Sequence, residues 1–457
     1  MFLTPYNDDM ARIRIKHFGP IGEGFVEDEF IPLHKITVFI GPQGAGKSAV
    51  AKVISTFLWL EKAFSRGDYS PETFTTEEFK TCLSYHSLVS YLSADTELVY
   101  WGKAFHLAYT NGVFTCVASV SAPYRMPKIS YIPAERNFCS AVPMSASLTG
   151  LLHSLFDLLS DFDASRLALG EKGFKLPFGS YEYRYDSKSR TSFIQDSHWN
   201  CVVELHQAAS GIQSALPLLL VSDYFSKLTI GTFDNRRQTL SLNERDIIKQ
   251  KYTELIATMG TGIVATLAGL VAQGGASIGF SLVGLLSAFV SAGLYKGVRD
   301  TESVPELTER DKEKIARIGD ELFASITSCF VNIVEEPEQN LFPNAQRDVM
   351  HYLMECTNRS PENQLVITTH SPYILETLNN CIYAGELMNK GIATDSIIPC
   401  NQHILFEKVG AYAIDNGEIC SIKDHEIQQI DANFLDACSV KINSDYENLS
   451  NLEFQNL

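Results

Sequence analysis

Lys47 and Ser48 close the octapeptide Gly41-Pro-Gln-Gly-Ala-Gly-Lys-Ser48, whose spacing is G-x-x-x-x-G-K-[ST]. The chemistry such a loop can do is phosphate binding. Backbone N–H groups exposed along Gly41, Gly44 and Gly46 cradle phosphate oxygens, the Lys47 ammonium reaches the outer phosphates, and the Ser48 hydroxyl ligates magnesium. The competing reading is a Gly-rich turn with no ligand. The flanks favour the first. Ile36-Thr-Val-Phe-Ile40 is a β-branched and aromatic run expected to form a strand, and Val50, Val53, Ile54, Phe57 and Leu58 recur at helical spacing. The loop therefore joins strand to helix, with the positive end of the helix dipole beneath the bound anion.

Three more groups could act on that phosphate. Phe330, Val331, Ile333 and Val334 form an apolar strand that delivers Glu335 and Glu336, followed by Pro337 and Glu338. At such a strand end the first acid holds the magnesium shell, and the second can polarise the attacking water. The run Gln364-Leu-Val-Ile-Thr-Thr-His370 is a second buried strand that ends on a histidine able to hydrogen-bond a γ-phosphate. A histidine there could equally be a solvated or capping residue. Ser210-Gly211 opens an amphipathic helix carrying Ile212, Leu216, Leu218, Leu219 and Leu220. A plain helix N-cap by Ser210 is the bland alternative to an anion site built on free N–H groups and the helix dipole.

The four motifs GPQGAGKS, ASGIQS, VNIVEEPEQNLFP and VITTHSP stand in that order between residues 41 and 372. As a set they resemble the Walker A, signature, Walker B and switch-histidine motifs of ABC-type AAA ATPases of the overcoming-lysogenization-defect and RecF-like group. The nearest likeness within that group is to ATPase subunits of antiphage systems, PARIS first and Septu second. The resemblance implies an α/β ABC-type P-loop fold with helical insertions, and ATP with Mg2+ as cofactors. It assigns Lys47 and Ser48 to phosphate and magnesium, Glu335 to the magnesium shell, Glu336 to the catalytic base and His370 to γ-phosphate sensing. Ser210, Gly211 and Gln213 would complete the site of a neighbouring subunit. Phe342 stands where transporter-type cassettes carry an Asp, a departure that puts the cross-dimer contact usual there in question. No glutamine fits the loop that senses magnesium; Arg136, in the segment Ile129-Ser-Tyr-Ile-Pro-Ala-Glu-Arg-Asn137, is either its substitute or an ordinary surface arginine.

Around these anchors the 457 residues are expected to divide into an N-terminal ATPase part over 1–150, a signature lobe over 151–250, an apolar hairpin over 251–300 and a C-terminal ATPase part over 301–457. Residues 11–40 read as an antiparallel hairpin leading into the P-loop strand, with turn signals at Gly19-Pro20 and Gly22. A helix is expected from Leu151 to Leu159, then a polar strand pair through YEYRYDSKSRTSFI. Residues 255–295 carry no charge and are rich in small residues. Each half approaches the roughly 17 to 25 residues that span a bilayer. Small residues also suit close helix contact, so an oligomer core is preferred over a membrane hairpin or an intramolecular core.

A formal charge of −17 gives no general basic surface, which argues against broad nucleic-acid binding and points to protein partners. The ten cysteines contain no C-x-x-C pair, and MFLTPYNDDM shows no secretion signal. A reducing cytoplasm and packed thiols are expected. No D-x-D follows residue 370, so the metal-binding nuclease domain of a self-contained defence nuclease is not foreseen within these residues. Long heptad runs, the mark of repair ATPases with coiled coils, are not found either. The resemblance then implies a cytoplasmic, dimer-based homo-oligomer, as large as a hexamer, that holds a separate toxic effector. That effector would be a TOPRIM-type nuclease released when a phage-encoded trigger protein is sensed. A membrane-associated ATPase, or the ATPase of a DNA-processing complex, is the alternative.

Overall fold

The computed structural model describes residues 10–119, 124–141, 152–228, 329–431, 444–445 and 447–449. The chain divides into two compact units. The first comprises Met1–Ala122, Ile129–Tyr224 and Phe330–Leu457, and carries every residue of the candidate site. The second comprises Pro123–Lys128 and Phe225–Cys329; within it Lys128 Nζ lies 4.4 Å from the centre of the Phe225 ring. The uncharged 255–295 segment falls outside the described residues. Among those described, no helix is long and apolar enough to cross a membrane.

Strands β1 (Arg12–Phe18), β2 (Gly24–Phe25), β3 (Ile31–Pro32) and β4 (Ile36–Ile40) precede helix α1 (Lys47–Arg66). All five residues of β4 are buried, whereas β1 mostly alternates between buried and half-buried positions. A strand apolar on both faces belongs inside a covered parallel sheet, and an alternating one suits an antiparallel sheet covered on one face. The two accordingly separate. Strand β1 joins an antiparallel sheet of order β3-β1-β5-β6-β7, in which β5 is Leu92–Trp101, β6 Phe105–Thr110 and β7 Val113–Ala118. The antiparallel pair expected over 11–40 forms between β1 and β3, with Arg12 opposite Pro32 and Ile13 opposite Ile31, but it lies in a different sheet from the P-loop strand β4 into which it leads. Helix α2 (Thr76–Ser84) begins with a capping box between Thr75 and Glu78.

Next come β8 (Pro127–Ile132), a 3-10 turn at Ala134–Asn137, α3 (Phe138–Ala141) and α4 (His153–Leu169). The last runs ten residues beyond the Leu159 end foreseen from sequence. The polar strand pair forms as expected, β10 (Tyr181–Asp186) against β11 (Thr191–Asp196), between β9 (Phe174–Lys175) and β12 (Cys201–Glu204). Helix α5 spans Ser210–Leu228. After it come β13 (Cys329–Glu335), α6 (Pro343–Asn358), β14 (Gln364–Thr369), α7 (Pro372–Asn389), β15 (Val409–Asp415), β16 (Glu418–Ser421), β17 (Lys423–Asp424) and β18 (Gln429–Ile430).

The seven-stranded sheet has the order β2-β16-β15-β4-β14-β13-β8. Strands β15, β4, β14 and β13 run parallel. Ile40 pairs with Thr369, and Thr368 with Glu335, so β4, β14 and β13 end level. Their following residues, Gly41, His370 and Glu336, leave from one edge of the sheet. With strands about 4.8 Å apart, β14 sets His370 between the P-loop and the acid-bearing strand. One apolar cluster holds this arrangement, joining Ile13 and Ile15, Leu98 and Tyr100, Val50 and Phe57 of α1, and Phe39, Ile333 and Val366 of the parallel sheet.

Among the nine described thiols, all of them free, Cys139, Cys329, Cys356 and Cys381 are buried, whereas Cys201 and Cys400 are exposed. The expectation that every thiol packs inside fails at those two.

Candidate functional site

Gly41 and Gly46 have φ of 149° and 109°. A Cβ at Gly41 would strike the Ile414 carbonyl, and one at Gly46 would press on Ile21 and Pro20. Gly44, with φ of 77°, stands in open space, so there only the backbone conformation calls for glycine. Gly46 is the N-cap of α1, with no side-chain hydrogen bond to the helix. The first-turn N–H groups of α1 are thus available to an anion. Lys47 is buried, and its Nζ donates to the carbonyls of Gly41 at 2.9 Å and Pro42 at 2.8 Å. Burial lowers its pKa, against the opposing pull of Glu336, Glu338 and Glu335. Ser48 follows, half-buried, on the first turn.

Glu336 and His370 meet directly. His370 Nε2 is 3.3 Å from Glu336 Oε1, with the two side chains 30% and 35% exposed, open enough to share a ligand. The hydrogen bond from His370 is the main reason the Glu336 carboxyl titrates below its usual range; Lys47 and Arg136 add to it, and partial burial opposes it. Glu336 is thereby held as an anion at neutral pH. Its backbone is also constrained: φ is 44°, its N–H donates to the Thr368 carbonyl at 2.8 Å, and its own carbonyl accepts from Arg136 at 2.6 Å. Such a conformation costs about 1–3 kcal/mol and persists only where its surroundings fix it.

Glu335 is buried, and its carboxylate accepts from the Tyr131 hydroxyl. Sequence reasoning did not single out Tyr131; the faint signal was the strand Ile129-Ser-Tyr-Ile132 aimed at a proline stop. Arg136 is buried completely, which removes the surface-arginine alternative. Its guanidinium donates to the carbonyls of Ser214 (2.9 Å), Pro133 (3.3 Å), Glu335 (2.6 Å) and Glu336 (2.6 Å). Burial pulls its pKa down to about 10, with Glu338, Glu336 and Glu335 opposing. Glu338 was read only as part of the acidic run. In the structure its Oε1 accepts from the His370 N–H at 2.7 Å and the Thr369 hydroxyl at 2.8 Å, fastening the histidine to the acid turn.

The signature residues form a second group. Ser210 is exposed at the first position of α5. Gly211 packs so closely on Asn340 that a Cβ would come within 2.7 Å of its carbonyl oxygen. Gln213 turns inward, and its amide donates to the carbonyls of His206 at 2.9 Å and Ala208 at 2.8 Å, bracing the turn before the helix. Within the chain, the groups that bear on Lys47 are Glu335, Glu336 and Glu338. Those that hold the start of α5 are Asn340, Ser140 and Arg136.

A cleft of about 770 Å³ runs along the outer side of the P-loop, bounded by Pro42, Gly44, His17, Tyr91, Asp95 and Asn416. Tyr91 lies over Gly19, where any side chain would collide with its ring, and remains 39% exposed. That leaves an aromatic surface beside the phosphate loop. As for the metal, the donors at hand are oxygens, Ser48 Oγ and the Glu335 carboxylate. Among the described residues no three His, Cys, Asp or Glu side chains converge to cage an ion. Oxygen donors such as Ser48 Oγ and a carboxylate suit Mg2+, which is usually held by one or two protein oxygens together with phosphates and water.

Residues 325–375 match the family model of an AAA ATPase domain. The matched stretch contains Glu335, Glu336, Glu338 and His370. No curated protein matches the chain. Among solved structures, the SMC head domain from Thermotoga maritima is 11% identical, with 90% of this chain and 98% of that one covered at a TM-score of 0.31. An SMC head bound to the C-winged helix domain of ScpA is 9% identical, with 91% and 97% covered and a TM-score of 0.30. An SMC head domain with an extended coiled coil, bound to the C-terminal domain of ScpA derived from Pyrococcus furiosus, is 11% identical, with 90% and 95% covered and a TM-score of 0.28. At these scores the likeness transfers no residue roles.

Proposed function

We propose that this chain binds MgATP at Gly41–Ser48 and hydrolyses it, and that the cycle governs the holding and release of a separate effector protein. The level ending of β4, β14 and β13 carries the reading. It sets a phosphate loop, a histidine and an anionic glutamate along one sheet edge, with 3.3 Å between the last two. Lys47 would exchange its loop carbonyls for the β- and γ-phosphates. Ser48 and, through water, Glu335 would hold Mg2+, whose chemistry is to neutralise charge on the phosphate oxygens. Glu336, as an anion, orients the water that attacks the γ-phosphorus, and ADP departs as the phosphoanhydride bond breaks. His370 shares Glu336 and faces the same phosphate. The cleft beside Tyr91 is large enough for the nucleoside.

Glu336→Gln is expected to bind ATP normally while turnover falls at least about 100-fold. Lys47→Ala is expected to lose nucleotide binding. Equilibrium binding and single-turnover hydrolysis measured side by side test this, and normal turnover by the Gln variant would overturn the assignment. The effector side rests on the sequence resemblance to antiphage ATPases and on the acidic surface, which suits a protein partner better than nucleic acid. Its test is co-purification with the products of adjacent genes. An assembly holding a nuclease in ATP and releasing it on exposure to a phage protein is the expected outcome; a chain that purifies free of any partner in every nucleotide state argues against it.

A further inference from the structure

The stretch Tyr131–Arg136 touches both acids after β13 and the first turns of α5. Tyr131, at the end of β8, donates its hydroxyl to the Glu335 carboxylate. Its ring is seated against His86, with centres 4.6 Å apart. Five residues on, Arg136 binds the main-chain carbonyls of both acids and, through Nε, the carbonyl of Ser214 in the first turns of α5. The guanidinium is wholly buried and donates only to backbone, so it is not a group that reaches a phosphate.

We propose that Tyr131 and Arg136 are positioning residues: together they lock the Glu335–Glu336 turn and the start of the signature helix into one unit, Tyr131 aiming the metal-facing carboxylate and Arg136 fixing the backbone beneath it. The proposal rests on Glu335 belonging to the magnesium shell. Its physical basis is the fork. Three separate nitrogens of one planar guanidinium reach carbonyls at 2.6, 2.6 and 2.9 Å on two elements, a rigid fork that the single point of a lysine ammonium does not reproduce. The acid turn and α5 are also joined at Asn340, whose side chain donates to Ser214 Oγ at 3.0 Å. A shift of the acids on magnesium loading is therefore expected to reach the first turns of α5 through Ser214. Tyr131 supplies the outer-shell contact of a metal-facing carboxylate, whose loss typically costs ten- to a hundredfold in metal affinity.

The test compares the parent chain with Tyr131→Phe and Arg136→Lys, each titrated with MgCl2 at fixed ATP and, separately, held in EDTA with ATP, with thermal stabilisation as the readout. For Tyr131→Phe the half-saturating Mg2+ concentration is expected to rise about tenfold or more, with ATP stabilisation in EDTA unchanged. For Arg136→Lys, kcat is expected to fall far more than KM changes. Amide exchange should quicken at 210–214 and at Glu335 and Glu336 together, while β4 and α1 stay protected. A Tyr131→Phe titration that superposes on a magnesium-responsive parent overturns the proposal alone. A parent that ignores ATP in both buffers overturns the ATP-binding reading and this one with it. Should Arg136→Lys fail to fold, Tyr131→Phe decides, since it keeps the ring and removes one oxygen.

Discussion

Glu338 shows how one side chain can carry a constraint that its position in the acidic run does not announce. Its Oε1 is fully used by His370 N–H and Thr369, whereas Oε2 is buried with no hydrogen-bond partner among the described residues. Burial raises its pKa above 4.5, the nearby Glu336 charge adds to the rise, and the two donors oppose it. The folded state therefore holds the proton more tightly than the unfolded chain, so this group's contribution is greatest below its unfolded pKa and is lost as pH rises through the folded one. Glu338→Gln keeps an acceptor for both donors and cannot ionise. Its stability relative to the parent is expected to improve as pH climbs from about 4 toward neutrality, read as the difference in urea midpoints at each pH. A constant difference across that range would show that folding does not shift the ionisation of Glu338. Glu338→Ala, by contrast, frees the His370 main chain, and turnover should drop on the order of tenfold to a hundredfold from misplacement alone.

Elements differ in how openly the sequence declares them, and the reason is how far away their partners lie. The P-loop, the strand into Glu335-Glu336, the strand into His370 and the start of α5 at Ser210 were all legible, because each is marked by residues within a few positions. The sheet that β1 joins was not: turn signals at Gly19-Pro20 and Gly22 suggest the pairing that forms with β3, yet only pairing with β5, some eighty residues on, puts β1 and β4 in different sheets. Arg136 was ambiguous for the same reason, since three of its four partner carbonyls lie 78 to 200 residues away. Pro217, inside α5, gives a case that can be measured. Lacking an N–H, it leaves the Gln213 carbonyl without its helical donor. The Ser140 hydroxyl takes that place at 2.7 Å. Ser140→Ala should cost about 1 kcal/mol. In a Pro217→Ala background, where the helix can supply its own N–H, the same change should cost clearly less. A double-mutant cycle by urea unfolding reads the coupling, and strict additivity would show that Ser140 is not standing in for the missing donor.

At the scale of the whole molecule, the candidate residues fall into two groups, those that gather around Lys47 and the exposed start of α5. Lys47, Glu335, Glu336, Glu338 and His370 act on one another, while Ser210 stands exposed at the head of a 19-residue helix whose first turns are held by Arg136 and Asn340. If ATP is sandwiched between copies of the chain, Ser210 of one copy serves the γ-phosphate held by Lys47 of another, in keeping with the dimer-based assembly implied by the sequence motifs. Ser210→Arg alone should block closure, and Lys47→Ala alone should prevent loading, so each variant by itself should be inactive. Mixed in equal amounts, half of the dimers are expected to combine the two variants, and each of those contains one intact pairing of Lys47 with Ser210. Activity should return to about a quarter of the parent value if sites work independently. The measurement is ATP hydrolysis across a range of mixing ratios, with hetero-assembly verified by differential tags. A bell-shaped dependence on ratio is the expected result. A flat line at zero, with mixed assemblies present, would mean that Ser210 does not serve a neighbour's nucleotide and that each chain hydrolyses ATP without one.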